Sequence, residues 1–275
     1  MVVLLKQVDL RPAVDPLTGE TTHDPHGGLS AADRSALELA LVSAERLGLS
    51  VRALSAGGPE SDEVLRLALA SGAGSATRVH MSRESPSEAV AGALASVLGD
   101  AVLVWCGDHS LDRGSGSVPA LVAGHLGYAQ ALGLAAVGWS GDTLAVQRRL
   151  DGGRREVLLV RPPAVVSVEA GVAPLRRAPL DSAIAASSAA IEVVTGPPVD
   201  DGVRSFGSRP FRPRPRVLEG PASSLPVRDR VRALAGIDTA HEPPRVVRVE
   251  ADEAAAVLLE FLAERGYGPP VGDRR

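Results

Sequence analysis

A chain of 275 residues with 45% hydrophobic residues is long enough to bury a sizeable core, and a formal net charge of −4 gives no overall signal for nucleic acid. No apolar run reaches the ~20 residues that span a bilayer, and the N-terminus lacks a basic segment ahead of a longer apolar one; the expectation is a cytoplasmic protein without membrane insertion. The single cysteine, Cys106, excludes an internal disulfide and a cysteine-based metal cluster and reads as a buried residue at a strand end, while only 3% aromatics leave a core of Ala, Val and Leu.

In chain order, Val2–Leu5 reads as a strand and Leu29–Leu47 as a helix, with Ser30 and Asp33 as a capping-box pair and Leu37, Ala40, Leu41 and Ala44 on one face. Val51–Ser55 is the next strand, broken by Gly57-Gly58-Pro59 before a helix near Ser61–Ala70, and Thr77–Met81 is the third. Ser85-Pro86-Ser87-Glu88 predicts a helix start with Ser85 as the cap and proline at the first helical position. Ala101–Cys106 is apolar without alternation, as in a central parallel strand covered on both faces. A Gly/Ser-rich loop, Gly107–Ser117, leads into a helix from about Pro119 to Leu126.

Leu144–Leu150, the turn Asp151-Gly152-Gly153 and Arg155–Val160 predict a β-hairpin that extends the sheet on one side, and Ala164–Val168 closes the set. Strands alternating with helices imply a mostly parallel α/β sheet with helices on both faces. The expected division is an α/β domain over 1–195, a Pro/Gly/Arg-rich linker or insert over 196–241, and a strand-helix arm over 242–275. In that arm Arg245–Val249 is the strand candidate and Asp252 the cap of a helix ending near Arg265; too small for its own core, it must dock on something.

In such a sheet, ligands sit beyond the carboxyl ends of the strands, where loops 7–28, 56–60 and 107–117 emerge. The third is the most informative, because small residues let the backbone approach an anion and the free N–H groups of a helix start favour phosphate. Ser115 and Ser117 can add hydroxyl donors, and Asp112 can accept from a ribose hydroxyl or orient the loop.

Gly107 to Pro119 and the helix after it resemble the loop that binds AMP in the beta subunits of electron-transfer flavoproteins. Arg148-x-x-Asp151-Gly152-Gly153-x-x-Glu156-x-Leu158, leading to Pro163-Ala164-Val165-Val166, is similar to that family's signature hairpin, with Ser167 where Thr, Ala or Cys is usual. Lys6 after the first strand, the loop Gly27–Ala32, the turn Ser55–Gly58, Pro174-x-Arg176 and Ile191-Glu192-Val193 follow in the family's order. The likeness covers residues 1–195 and, loosely, the tail from Glu242.

The resemblance implies an adenine-nucleotide-binding Rossmann-like fold and a beta subunit that pairs obligately with an alpha subunit. One FAD is held mainly by that partner, and AMP is held structurally by this chain. Electrons would come from a dehydrogenase and pass to a membrane quinone oxidoreductase or another acceptor, with no substrate turnover by the chain itself. Carried over by position, the cofactor-binding residues are Leu4, Leu10, Leu29, Ser30, Ala56, Gly107, Leu111, Asp112, Gly114, Ser115, Gly116, Ser117 and Val118. Pro174, Arg176 and Leu180 fall to partner docking, with Asp181 capping the helix after Leu180. The sequence departs from the family in a loop acidic only at Asp112, in Leu10 where an aromatic meets the flavin, in Ala185–Ala190 where lysines follow the docking leucine, and in the insert.

Other chemistries stay open from the residues alone. His23, Asp24 and His26 offer ligands to a metal, although a polar turn needs only the same residues. Asp108, His109 and Asp112 can be read as a hydrolase's base and orienter with no evident nucleophile. The run Arg209–Arg216, with Phe206 and Phe211, reads as a solvated or partner-wrapping arm rather than a nucleic-acid site. A universal-stress-type nucleotide-binding module, an adenine-nucleotide hydrolase, and a beta subunit carrying a second FAD in place of AMP are the alternatives.

Overall fold

The computed structural model describes residues 1–15, 17–22, 27–196, 220–235 and 246–264. The chain divides into two units, Met1–Arg212 and Pro213–Arg275. The first opens with β1 (Val2–Leu4), followed by the short strands β2 (Gln7–Val8), β3 (Ala13–Val14), β4 (Thr21–Thr22) and β5 (Gly28–Leu29). Then come α1 (Ala31–Leu47), β6 (Arg52–Gly57), α2 (Asp62–Ser71), β7 (Ser75–His80), α3 (Ser87–Leu98), β8 (Leu103–Gly107) and α4 (Ser117–Leu126). β9 (Ala129–Ser140), β10 (Thr143–Arg149), β11 (Arg155–Val160), β12 (Ala164–Val168), α5 (Leu180–Ser188) and β13 (Glu192–Thr195) complete it.

Nine of these strands form one sheet in the order β11-β10-β9-β12-β8-β1-β6-β7-β13. From β9 to β13 each pairing is parallel, and β10 and β11 add an antiparallel hairpin at one edge, as the Asp-Gly-Gly turn requires. β8 shows why the centre holds. Leu103 and Trp105 enter the core under α1 and α2, whereas Val104 and Cys106 enter the core under α3 and α4. A period of two thus feeds both layers, and an unbroken apolar run is what such a strand needs.

Several local expectations are corrected. Ser85 does not cap α3; the helix begins at Ser87 with Pro86 in the cap position and no side-chain cap bond. Asp181 lies inside the first turn of α5, whose cap position is Pro179. β9 is a further long strand that Gly133, Gly138 and four alanines disguise, because these residues carry little β signal. β13, over residues read only as the end of a segment, pairs with β7.

The second unit contains α6 (Val227–Leu234) and α7 (Ala251–Glu264). Of the strand expected over Arg245–Val249, residue 245 lies outside the described residues, and 246–250 have no regular structure; no other strand is described in that unit to pair with them. Asp252 stands within the first turn of α7 rather than before it. Among the described residues no helix is long and apolar enough to cross a membrane.

Trp105 is fully buried at 0% exposure, and its indole N–H finds no hydrogen-bond partner among the described residues. Trp105→Ala is expected to cost about 3–5 kcal/mol in denaturant unfolding through the cavity it leaves. Trp105→Phe keeps most of the volume and removes the orphaned donor, so it should cost about 1 kcal/mol or less.

Candidate functional site

A cavity opens at the carboxyl ends of β1, β6 and β8, roofed by the first turns of α3 and α4. Its volume, about 130 Å³, is roughly ten times what one water needs. Leu4, Leu94, Cys106, Val118 and Pro119 make one part apolar. The loop from Gly107 to Ser117 makes the other part polar.

That loop enters α4 through Gly116, at φ +60°, where an added Cβ would lie 2.7 Å from the Asp108 carbonyl oxygen. A left-handed residue packed this tightly admits glycine alone. The turn aims the start of α4 at the cavity, and the first N–H groups of a helix have no partner within it. Ser115 Oγ and Ser117 Oγ sit 3.0 Å apart on the same lip. The cradle suits a phosphate: main-chain amides, a favourable helix dipole and two hydroxyls.

Three side chains fix the loop. Lys6 Nζ donates to both Asp112 oxygens at 2.7 and 2.8 Å. Arg113 donates to the Ser85 and Arg83 carbonyls at 2.7 and 2.9 Å, tying the loop to the turn before α3. Asp33, in the first turn of α1, accepts from the Lys6 N–H at 3.3 Å and from the Gly107 N–H. Burial pushes the Asp33 carboxyl up to about 7, against the lowering effect of those bonds, the Ser30 hydroxyl and the Lys6 charge. Burial would also raise Asp112, but the Lys6 and Ser110 bonds outweigh it and hold that carboxyl below its ordinary range. The Cys106 thiol is pushed up by burial and then by Asp33, so it is inert as a nucleophile at neutral pH.

Of the residues expected at the site, Leu4, Ala56, Gly107, Ser115, Gly116, Ser117 and Val118 line the cavity together. Leu29 and Ser30 instead belong to the start of α1: Leu29 is core, and the Ser30 hydroxyl accepts the Asp33 N–H at 3.0 Å. Leu111 is exposed, Gly114 closes a turn onto the Ser110 carbonyl, and Asp112 faces Lys6. Leu10 is half exposed and packs over Gly28. The capping box forms only in part, since Ser30 caps while the Asp33 carboxylate serves the ends of β1 and β8.

Asp108 and His109 lie side by side at 2.9 Å in the cavity wall, but Asp112 is held by Lys6 rather than by His109. His23, Asp24 and His26 lie outside the described residues; among those described, no cluster is placed to hold a metal. The run Arg209–Arg216 with Phe206 and Phe211 is likewise outside them.

Away from the cavity, Ser35 Oγ donates to the Ala173 carbonyl at 3.0 Å and accepts the Gly171 N–H at 3.1 Å, while Arg176 forks onto Glu38 and Glu45 of α1. Pro174 and Leu180 are exposed beside this stitched segment.

Lys6, Asp33 and Arg113 shape the site although none of them belongs to the cofactor set carried over by position. Lys6 and Arg113 carry a signal in the sequence, the one as a basic residue just after the first strand and the other as a basic residue within the Gly/Ser-rich loop. Asp33 does not, because its place in a cap pattern already explains it.

Gly116→Ala is expected to cost about 1–3 kcal/mol of unfolding free energy from the forced left-handed backbone. Lys6→Met breaks only a partly exposed ion pair and should cost about 1 kcal/mol or less. Denaturant melts of both variants check the ranking.

Residues 21–199 match the family model described as the electron transfer flavoprotein domain. The chain is 31% identical over 228 residues to the electron transfer flavoprotein subunit beta of Mycobacterium leprae, covering 76% of this chain and 85% of that one. The subunit beta of Clostridium acetobutylicum is 28% identical over 176 residues, 61% and 67% of the two chains. Protein FixA of Bradyrhizobium diazoefficiens is 27% identical over 227 residues, 78% and 77% of the two. A family match over most of the first unit, with the hairpin and strand-end cavity in place, shows that the chain belongs to the electron transfer flavoprotein family, among its beta subunits.

Proposed function

We propose that this chain is the beta subunit of a heterodimeric electron transfer flavoprotein, with AMP bound structurally in the strand-end cavity and FAD held mainly by an alpha-type partner. The observation that carries the nucleotide is the α4 lip, where glycine brings main-chain amides and two serine hydroxyls to one edge of a partly apolar cavity. Base and ribose would lie toward Leu4, Ala56 and Cys106, and the phosphate would meet Ser115–Val118. Because AMP binds the folded chain alone, it adds to stability by mass action.

FAD, once bound, supplies the redox chemistry, taking electrons from a dehydrogenase and releasing them to a quinone oxidoreductase or another acceptor. This chain's part is to position and enclose: the loop over residues 7–14, with Leu10 half exposed on it, forms a wall toward the flavin. Pro174, Arg176 and Leu180 belong to the surface that meets the donor, and Ile184, one turn beyond Leu180, extends its apolar side. The arm over 242–275 covers the alpha partner, and 196–241 is the linker that lets it reach. The assembly is cytoplasmic.

Co-expression with an alpha-type subunit, followed by denaturation and chromatography of what is released, is the test. About one FAD and one AMP per complex are expected. Two flavins and no AMP would place a second FAD in the cavity, and a complex without flavin would overturn the carrier reading. Steady consumption of ATP by the purified chain would favour a hydrolase instead.

A further inference from the structure

Among the described residues, Asp33 is the one carboxyl that is both buried, at 6% exposure, and part of the cavity wall. Its placement is forced. A Cβ on Gly107 would lie 2.5 Å from Asp33 Oδ1 and 3.1 Å from both Ala32 Cβ and the Asp33 main-chain nitrogen. The first turn of α1 therefore presses directly on the end of β8. The N–H groups that Asp33 accepts, from Lys6 and Gly107, stand where the chain leaves β1 and β8 to build the two loops around the cavity.

We propose that Asp33 is the positioning residue of this cavity: its ionised carboxylate holds both N–H groups, and with them both loops, in the arrangement that binds a nucleotide, so binding weakens when that carboxyl takes up a proton. The proposal rests on the nucleotide reading above. A carboxylate accepts on both oxygens, whereas the protonated acid loses an acceptor site and presents an O–H to two donors. Burial lifts the group to about 7, so both forms are present at neutral pH. The sign follows from the raised value. The protonated form favours the fold at low pH, and that contribution is lost as pH rises through about 7. Ligand affinity runs the other way and rises with pH.

The groups facing Asp33 are Lys6 after β1, Cys106 at the end of β8 and, through Lys6, Asp112. Cys106 stays protonated throughout, since burial and Asp33 both push it up. Glu60, Arg83, Asp108, His109 and Arg113 line the same cavity.

The test is calorimetric titration of AMP into the full chain as it purifies, between about pH 6 and about pH 8. Wild-type affinity is expected to rise about twentyfold across that range, about tenfold from Asp33 and about twofold from the ligand's own phosphate. Asp33→Asn should show only the roughly twofold rise due to the ligand's own phosphate. His109 is common to both proteins and cancels. Parallel profiles overturn the role of Asp33 while leaving the nucleotide reading intact; no AMP binding to the wild type at any pH overturns that reading, and this proposal with it. Should Asp33→Asn fail to fold, His109→Gln is titrated near neutral pH in two buffers of different ionisation heat. Release of about half a proton on binding supports the proposal, and no more than about a tenth, the phosphate's share, overturns it.

Discussion

The main chain at the end of β8 lies so close to the first turn of α1 that a side chain at Gly107 has no room, and the cavity depends on that approach. What permits it is the inner face of α1, where Ala32, Ala36, Ala40 and Ala44 recur every four residues, all buried. Larger side chains would hold the helix off the sheet. The scarcity of aromatics, at 3%, is thus part of how the site is made, since small residues let helix and sheet meet closely enough for a carboxylate on one to hold amides on the other.

The position along the sheet follows from topology. From β1 the chain moves outward through β6 and β7, then crosses back to lay β8 on the other side of β1. The loops after β1 and β8 therefore diverge to opposite faces and leave a crevice between them, the switch point at which ligands of open α/β sheets bind. The cavity is lined by the residues after those two strands, by the turn after β6, and by the starts of α3 and α4. Arg113 closes the crevice on one side by bonding two carbonyls across it, and Lys6 and Asp112 close the other. The polar residues of the loop are thereby divided between holding its shape and facing the cavity.

Elements were legible where one local cause dominated. Unbroken apolarity marked β8, Asp-Gly-Gly marked the hairpin, and Ser30 marked the start of α1, each a signal within a few residues. Signals failed where tertiary partners decide. β9 is extended because β10 and β12 bond its two edges, despite two glycines that weaken a strand on their own. Residues 246–250 have the composition of a strand and no described partner in their unit, so they do not form one. Ser85 had the sequence of a cap, yet its carbonyl serves Arg113 and the helix starts beyond it. In the site, the glycines and serines of the α4 lip could be read from the chain, whereas Asp33 could not, because its partners lie 27 and 74 residues away in sequence as Lys6 and Gly107.

The apolar residues left outside the core follow a pattern of their own. β11 carries Leu158 and Val160 toward the core and Val157 and Leu159, both more than half exposed, on its other side, although it is an edge strand that solvent should make polar. α6 shows Val227, Val231 and Leu234 exposed at helical spacing, in a unit whose described helices bury little of their own surface. Leu180 and Ile184 repeat the theme on α5. Scattered exposed hydrophobics need no cause, but residues that recur at the period of their own element form stripes, and a stripe is what another surface covers. A chain that leaves apolar stripes on an edge strand and on peripheral helices offers surface for another chain to cover. That agrees with the proposed heterodimer independently of the strand-end cavity, because the two rest on different residues: the cavity on small and polar side chains at strand ends, the stripes on β-branched and leucine side chains at the periphery.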